Sequence, residues 1–365
     1  MGIMRDELTF DADGPVLLVG GYGTVGAELA RMAAPVWPLV LAGRNVRRGA
    51  GLAEETGAEL RRWDLADPAP FRARVAAVAT VVNDPDDRVL RAAIAGRVPY
   101  VDVTRWTARV QRAATVAALA APESPVLFSS AWMGGVTSLV AAHLAGRLGG
   151  ADRIDVAIRW DVKDRAGADS VEFMDRLGLD YEVVRGGRRH TVMPLGDVRR
   201  VRVGDSLTRV AGIDTPEQFT LPLTLAATTV TTRIGFSSPA STAALLAVGR
   251  LGFFRWGRGE RFAAARRGLL YAPGDGGTAQ LRVDVHHGHD TLTAMVTDPA
   301  GQAHLTAVGA LSALRRVRGE DGAAAPRGVV FPEQLPHPGS VPGALAAHGV
   351  RLTVESTATG SGAAA

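Results

Sequence analysis

The chain has 365 residues, 47% of them hydrophobic and 21% charged, which is enough apolar material for two domains of ordinary size. It contains no cysteine, which excludes disulfides, thiolate metal centres and a cysteine nucleophile, and leaves the cytoplasm as the expected compartment. The net charge of +4 is carried almost wholly by arginine, Lys163 being the only lysine; the arginines are interspersed with acids, a pattern of GC-rich bacterial coding and not of a nucleic-acid-binding face.

Met1 to Glu7 has no apolar signal core, and no stretch reaches roughly 18 uncharged apolar residues, so no membrane attachment is expected. From Val16 to about Gly150, short apolar runs alternate with helical patterns, the signature of an α/β parallel sheet wound with crossover helices. Val16–Val19 predicts a strand, Thr24–Ala33 a helix, Leu39–Ala42 the second strand, Val46–Thr56 a helix and Leu60–Trp63 the third strand. Phe71–Val78 carries a helical pattern, and Thr80–Asn83 reads as the fourth strand. Asp86–Ala95 follows as a helix, Tyr100–Val103 as the fifth strand, Trp106–Ala120 as a helix and Val126–Ser129 as the sixth strand. These six strands fill one Rossmann-type doubly wound domain over residues 1–150, closed by a helix at Val136–Leu148.

Beyond Gly150 the pattern turns to β-rich alternation, as in Arg153–Asp161 and Gln280–His286, which predicts a second sheet with one wetted face. Ser241–Phe254 and Glu260–Arg267 read as helices, so residues 151–302 form an α+β substrate domain. Ala303–Arg316 is a further helix, with which residues 303–350 return to the first domain, and Gly319–Arg327 is a loop. Residues 351–365, ending in the small polar run Ser356–Ala365, are expected to be a disordered tail.

Gly21-Tyr22-Gly23-Thr24-Val25-Gly26 is a GxGxxG motif set between the first strand and a helix, the context that makes it a dinucleotide fingerprint. Gly21 permits the tight turn, Gly23 lets backbone approach a pyrophosphate, and Gly26 packs helix on strand. Where a carboxylate would bind a ribose 2′-hydroxyl, the second strand ends in Gly43-Arg44-Asn45, followed by Arg47-Arg48. A guanidinium there binds a 2′-phosphate, which favours NADP(H) over NAD; the alternative is a solvated loop arginine. Asp64, before Leu65, accepts from an adenine amine or caps a helix beginning near Pro68. Asn83 lies where the nicotinamide half passes, or belongs to a turn with Asp84-Pro85.

Tyr100 and Asp102 sit near the carboxyl edge of the fifth strand, as proton donor and its partner or base; Asp102 is alternatively the cap of the helix near Trp106. His304 is a further candidate proton donor, and Arg159, Asp161, His190 and Arg233 are candidates for facing a polar substrate from the second domain. The cluster His286-His287-Gly288-His289-Asp290 reads as a metal site or as a polar hairpin turn, and the hairpin accounts for it without a metal. No GxSxG, HExxH or lysine-bearing P-loop is present.

Together, Val19 to Gly26, Leu41-Ala42-Gly43-Arg44-Asn45, the run Ala92 to Asp102 and Arg327-Gly328-Val329-Val330-Phe331-Pro332-Glu333 resemble the saccharopine dehydrogenase-like family of NAD(P)-binding reductases. The resemblance is good over about residues 14–140, looser through the middle, and visible again near His304-Leu305-Thr306-Ala307 and Gly328–Val350. It implies a Rossmann domain, an inserted α+β domain whose sheet also serves homodimerisation, and a C-terminal return. It also implies reversible formation of a secondary amine from a carbonyl and an amino acid through an imine, although relatives reduce carbon–carbon double bonds. In the amine-forming relatives an Asp-Pro-Gly element follows the sixth strand. This chain has Ala131-Trp132-Met133-Gly134-Gly135, so Met133 stands where the acid is expected and Trp132 is a candidate pocket wall. The expectation is an NADPH-dependent reductase of a small-molecule imine or enamine, with a ketone or enone reductase, or a redox-neutral or non-catalytic NADP-binding protein, as alternatives.

Overall fold

The computed structural model describes residues 6–164, 173, 176–257, 262, 274, 276–334 and 338–358. The chain divides into two compact units, the first made of Met1–Val136 and Ala303–Pro332, the second of Thr137–Gln302 and Glu333–Ala365. The split falls at the first residue of the helix Val136–Leu148, earlier than residue 150, and residues from Glu333 onward belong to the second unit.

In the first unit, strands β1 (Glu7–Phe10), β2 (Val16–Val19), β3 (Leu39–Gly43), β4 (Glu59–Arg62), β5 (Arg72–Val75), β6 (Ala77–Thr80), β7 (Tyr100–Asp102) and β8 (Pro125–Phe128) are joined by helices that include α1 (Thr24–Ala33), α2 (Ala50–Thr56), α3 (Arg88–Ala95) and α4 (Thr107–Ala120). A returning strand, Gly328–Val330, completes a seven-stranded parallel sheet in the order Gly328–Val330, β8, β7, β6, β2, β3, β4. Strands β2, β6 and β8 are buried at every position, as a sheet covered on both faces requires. On one face Leu18, Leu41, Val101 and Leu127 pack with Leu29 of α1 and with Leu311 and Leu314 of the returning helix Gln302–Arg318. Each such side chain contributes roughly 1.5–3 kcal/mol. Pro35 stops α1 two residues after Ala33, because it has no N–H to continue the ladder.

Three expectations fail in this unit. Phe71–Val78 is not helical: Arg72 and Arg74 are exposed while Val75 is buried, the period-2 pattern of β5, which pairs in parallel with β1. The fourth strand of the wound sheet is accordingly Ala77–Thr80, and Val81–Asn83 form the loop leaving its carboxyl end. No helix begins near Pro68.

The second unit is built on a mixed sheet containing β9 (Arg153–Trp160), β12 (Arg199–Val203), β13 (Ser206–Gly212), β14 (Thr229–Phe236), β15 (Ala279–His287), β16 (Asp290–Asp298) and a last strand, Arg351–Ala358. Its order is β12, β13, β14, β9, β15, β16, Arg351–Ala358, and a separate hairpin pairs β10 (Tyr181–Arg185) with β11 (Arg188–Val192). Along β9 the residues Ile154, Val156 and Ile158 are buried while Arg153, Asp155 and Arg159 take the wetted face. The helix expected at Ser241–Phe254 is broken: Pro239–Arg250 ends before Gly252, whose φ of +73° is left-handed, and Phe253–Trp256 follows as a separate turn. The predicted helix Glu260–Arg267 lies outside the described residues, apart from Phe262.

The tail is corrected over residues 351–358, and residues 359–365 lie outside the described residues. Arg351–Ala358 is a strand paired antiparallel with β16 from Arg351 opposite Thr297 to Ala358 opposite Asp290. Its small polar composition hid the alternation of Leu352 and Val354, both half-buried, with the exposed Arg351, Thr353 and Glu355. No helix among the described residues is long and apolar enough to cross a membrane.

Candidate functional site

The carboxyl ends of the parallel strands gather most of the sequence-predicted cofactor residues. Beyond β2, Gly20 turns the chain with φ +84°. A Cβ on Gly26 would sit 2.8 Å from both Cα and C of Gly21 and closer still to the Gly20 carbonyl, and one on Gly21 would sit 2.9 Å from Leu18, so neither position admits a side chain. Gly23 is the N-cap of α1 and offers no capping side chain. The first N–H groups of that helix, at Thr24, Val25 and Gly26, therefore lack intrahelical acceptors and carry the positive end of its dipole. This cradle fits a pyrophosphate.

Tyr22 fills the corner between this turn and β3. Its hydroxyl accepts from the Asn45 N–H at 3.0 Å, and its ring packs where Gly43 and Gly49 leave room. Burial pushes the phenol up, against the Asn45 N–H and the nearby Arg44 and Arg48 charges. The Asn45 side chain accepts from the Arg47 N–H at 3.2 Å and starts the following turn. Arg44, Arg47 and Arg48 are exposed, and no carboxylate among the described residues pairs with them. Arg44 and Arg48 thus bring positive charge beside the Tyr22 phenol, with Arg47 one turn of chain away on the same exposed segment.

Asp64 is not a helix cap. It accepts from the Ala66 N–H at 3.1 Å in a local turn. That loop is organised by a residue the sequence did not single out. Arg88 binds both oxygens of Asp6, at 2.8 and 2.9 Å, and donates to the carbonyls of Asp64, Leu65 and Asp67 at 3.3, 2.9 and 2.5 Å. Asn83 accepts from Arg109 at 2.5 Å, and the Arg109 guanidinium lies 4.3 Å from the centroid of the Trp106 ring. Asp84 accepts from the first N–H groups of α3, those of Arg88 and Val89, each at 2.9 Å; burial pushes its carboxyl up.

Tyr100 and Asp102 meet in the interior of the unit. Both are 0% exposed. The Tyr100 hydroxyl donates to Asp102 at 2.7 Å, and burial, aided by the Asp102 charge, raises the phenol well above its ordinary value. Arg105 donates to Asp102 at 2.8 Å and to Asp87 at 2.5 Å, and lies 3.8 Å from Asp84. Burial pulls its guanidinium down, but the charges of Asp102 and Asp87 and the interactions with Tyr100 together outweigh this and leave it raised. Asp102 does not cap the helix near Trp106 either: it accepts from the Thr104 N–H at 3.0 Å and from Ser130 at 2.9 Å. The network ties together the loops after β6, β7 and β8.

The turn after β8 is unusual in its backbone. Met133, Gly134 and Gly135 have φ of +55°, +62° and +90°. Only the glycines adopt such values without strain; Met133 is held there by packing, 6% exposed, with Thr306 at 3.7 Å from its sulfur. Trp132, beside it, is half-buried. A Cβ on Gly309 would lie 2.9 Å from the Met133 carbonyl, so the returning helix rests directly on this turn. His304 is in the first turn of that helix, half-buried, two residues before Thr306.

The second-unit candidates do not converge. Arg159 is paired with Gln280 at 2.7 Å. Asp161 organises a loop, accepting from the Lys163 N–H and Ser237 at 3.1 Å and the Thr278 N–H at 3.3 Å. His190 is exposed on β11. Arg233 is buried between Asp155 at 2.9 Å and Asp197 at 2.6 Å. Burial works against Asp155, but hydrogen bonds from Arg153, Thr231 and Arg233 bring it down to about 2. His286 pairs with Thr291 at 2.8 Å, and β15 and β16 are joined through Gly288 at φ +58°, so the histidine cluster lies at a hairpin. Among the described residues no three His, Asp or Glu side chains converge as metal ligands.

Glu333 received no role from the sequence. It is 3% exposed and accepts from Thr224 at 2.9 Å, and burial pushes its carboxyl above the usual range against the hydroxyls of Thr220, Thr224 and Ser138.

Parallel strands, a glycine turn and a helix start in this order define a Rossmann-type dinucleotide-binding fold carrying an inserted sheet unit. No family model and no curated protein matches the chain. Among solved structures it is similar to the apo saccharopine dehydrogenase (L-Glu forming) from Saccharomyces cerevisiae, at a TM-score of 0.66 and 13% identity, over 94% of this chain and 100% of that one. Other similar structures are a scyllo-inositol dehydrogenase from Lactobacillus casei (TM-score 0.42, 12% identity, 85% and 94% covered) and the C. glutamicum DAP dehydrogenase (0.40, 12%, 90% and 96%). The chain thus has a saccharopine dehydrogenase-like fold.

Proposed function

We propose that this chain is an NADP(H)-dependent oxidoreductase that reduces an imine- or enamine-type C=N bond of a small organic metabolite. The observation that carries the reading is the pairing of the Gly21–Gly26 cradle with Arg44, Arg47, Arg48 and Tyr22, which have no carboxylate among the described residues to compete for them. NADPH, when bound, supplies the hydride. The chain's own residues bind and orient. The helix N–H groups hold the pyrophosphate, Arg44 holds the 2′-phosphate, and Asn83, fixed by Arg109, lines the nicotinamide side. His304 is the proposed proton donor, because its helix rests on the turn that carries Trp132 and Met133. The buried, apolar Met133 favours, as a second reading, a ketone or enone acceptor.

Fluorescence titration of the full chain with NADPH and NADH tests the cofactor assignment. NADPH should bind at least tenfold tighter, and Arg44→Gln should weaken NADPH alone by about 10- to 100-fold, since a charge-assisted hydrogen bond is worth about 1.5–3 kcal/mol. Equal affinity for the two nucleotides overturns it. Oxidation of NADPH with a panel of imines, ketones and enones tests the acceptor; turnover of ketones or enones alone rejects the C=N assignment.

A further inference from the structure

A second anionic site lies wholly within the sheet unit and far in sequence from the glycine turn. The edge strand β12, its neighbour β13 and the helix Pro239–Arg250 enclose a groove of about 390 Å³. Arg199, Arg200, Arg209 and Arg250 line it, with Leu246 and Ala247 also on its walls. Leu246 is 5% exposed and gives the groove an apolar floor, whereas all four arginines are exposed.

The charge arrangement is not self-compensating. Arg200 stands directly opposite Arg209 in the antiparallel pair, so the two guanidiniums share one face of the ribbon. Like charges in that position repel and destabilise the pair unless an anion lies between them. Among the described residues no carboxylate pairs with Arg200, Arg209 or Arg250. Arg199 reaches Asp197 at 3.1 Å, but the same carboxylate already binds the buried Arg233 at 2.6 Å and Arg185 at 3.5 Å. The four arginines thus surround a volume that holds no acid of its own. Guanidinium forks bind phosphate oxygens in pairs, and an excess of several positive charges matches two adjacent phosphates better than one carboxylate.

We propose that this groove binds the diphosphate group of a small organic molecule, with Arg200 and Arg209 gripping the phosphates and the Leu246 floor covering part of the attached body. The body is either nucleoside or alkyl. This site is independent of the cofactor reading, and its test keeps the two apart.

Isothermal titration of the full chain at low ionic strength with inorganic pyrophosphate, ADP and geranyl diphosphate decides it. For the organic ligands, Arg200→Gln/Arg209→Gln should weaken binding at least tenfold without lowering the melting temperature, because relief of like-charge repulsion does not destabilise the strand pair. Arg44→Gln, at the ribose corner, should leave that binding unchanged. Tighter binding of ADP than of pyrophosphate, lost in the Arg200→Gln/Arg209→Gln protein, assigns a nucleoside body; tighter binding of geranyl diphosphate, lost in the same protein, assigns an alkyl one. Equal affinity for all three overturns the organic-diphosphate assignment. Equal affinity of the wild-type chain and the double variant shows a solvated basic face only and overturns the site.

Discussion

Replacing Arg105 by methionine tests whether the buried network beneath the carboxyl edge is what holds three loops in place. Arg105 is 5% exposed and methionine approximates its stem volume, so the change removes charge and hydrogen bonds more than packing. Asp102 would keep Tyr100, Thr104 and Ser130, and Asp84 would keep its two N–H donors. Among the described residues Asp87 would keep only Arg112, at 3.4 Å and more than half exposed, while itself 1% exposed and left-handed at φ +57°. Breaking a buried ion pair from one side costs about 3–5 kcal/mol, since the stranded carboxylates remain desolvated. Against a total stability of roughly 5–15 kcal/mol this is a large fraction. At about 2–4 °C per kcal/mol for a unit of this size, the melting temperature should fall by about 6–20 °C. Urea unfolding followed by circular dichroism measures the loss, and Arg105→Met/Asp87→Leu should recover part of it, because the stranded acid is then gone. The same variant should weaken NADPH binding, since the loop after β6 carries Asn83. A loss below about 1 kcal/mol, or a double variant no more stable than the single, would refute the reasoning.

Gly26→Ala should reduce dinucleotide affinity at least tenfold, because its Cβ meets turn backbone on every near side; unchanged NADPH titration would remove the cradle from the site. Glu333→Gln should change the pH dependence of stability. The folded carboxyl is raised above its ordinary value by burial, so its contribution is full below the unfolded value and is lost as pH rises through the folded one, at about 1.36 kcal/mol for every pH unit that separates the two values. A neutral amide still accepts from Thr224, so the variant's urea midpoint should exceed that of the wild type at alkaline pH and not in acid; parallel midpoint curves would contradict this.

What the sequence made readable follows from the range of the interactions involved. The glycine turn is legible because its constraint is local: a strand, three glycines and a helix start within a few residues, each demanded by backbone contact with the next. Period-2 alternation likewise locates β9, β15 and β16, since burial on one face repeats within each strand. Phe71–Val78 misleads because so short a window satisfies a helical and a strand period alike, and only β1, some sixty residues earlier, selects the strand. Arg351–Ala358 misleads for the complementary reason: composition suggests a tail, while an open edge on β16 offers backbone partners to whatever alternating segment comes next.

The site residues divide in the same way. Position at a carboxyl strand end correctly places Tyr100 and Asp102 near the edge, but position does not report burial, and both lie inside. Their neighbour Arg105, three residues after Asp102, carries a readable local hint of an ion pair. Arg88 carries no such hint, because its bidentate partner Asp6 is 82 residues away. The distinction bears on chemistry. A buried acid that is fully engaged by an arginine, a phenol and two hydroxyl or N–H donors has no lone pair left for a ligand, whereas the exposed Arg44, Arg47 and Arg48 have donors in excess. Residues that complete each other shape the site, and residues left incomplete bind. By that criterion the exposed arginines after β3 and those beside β12 are the ones whose donors the described side chains leave unused.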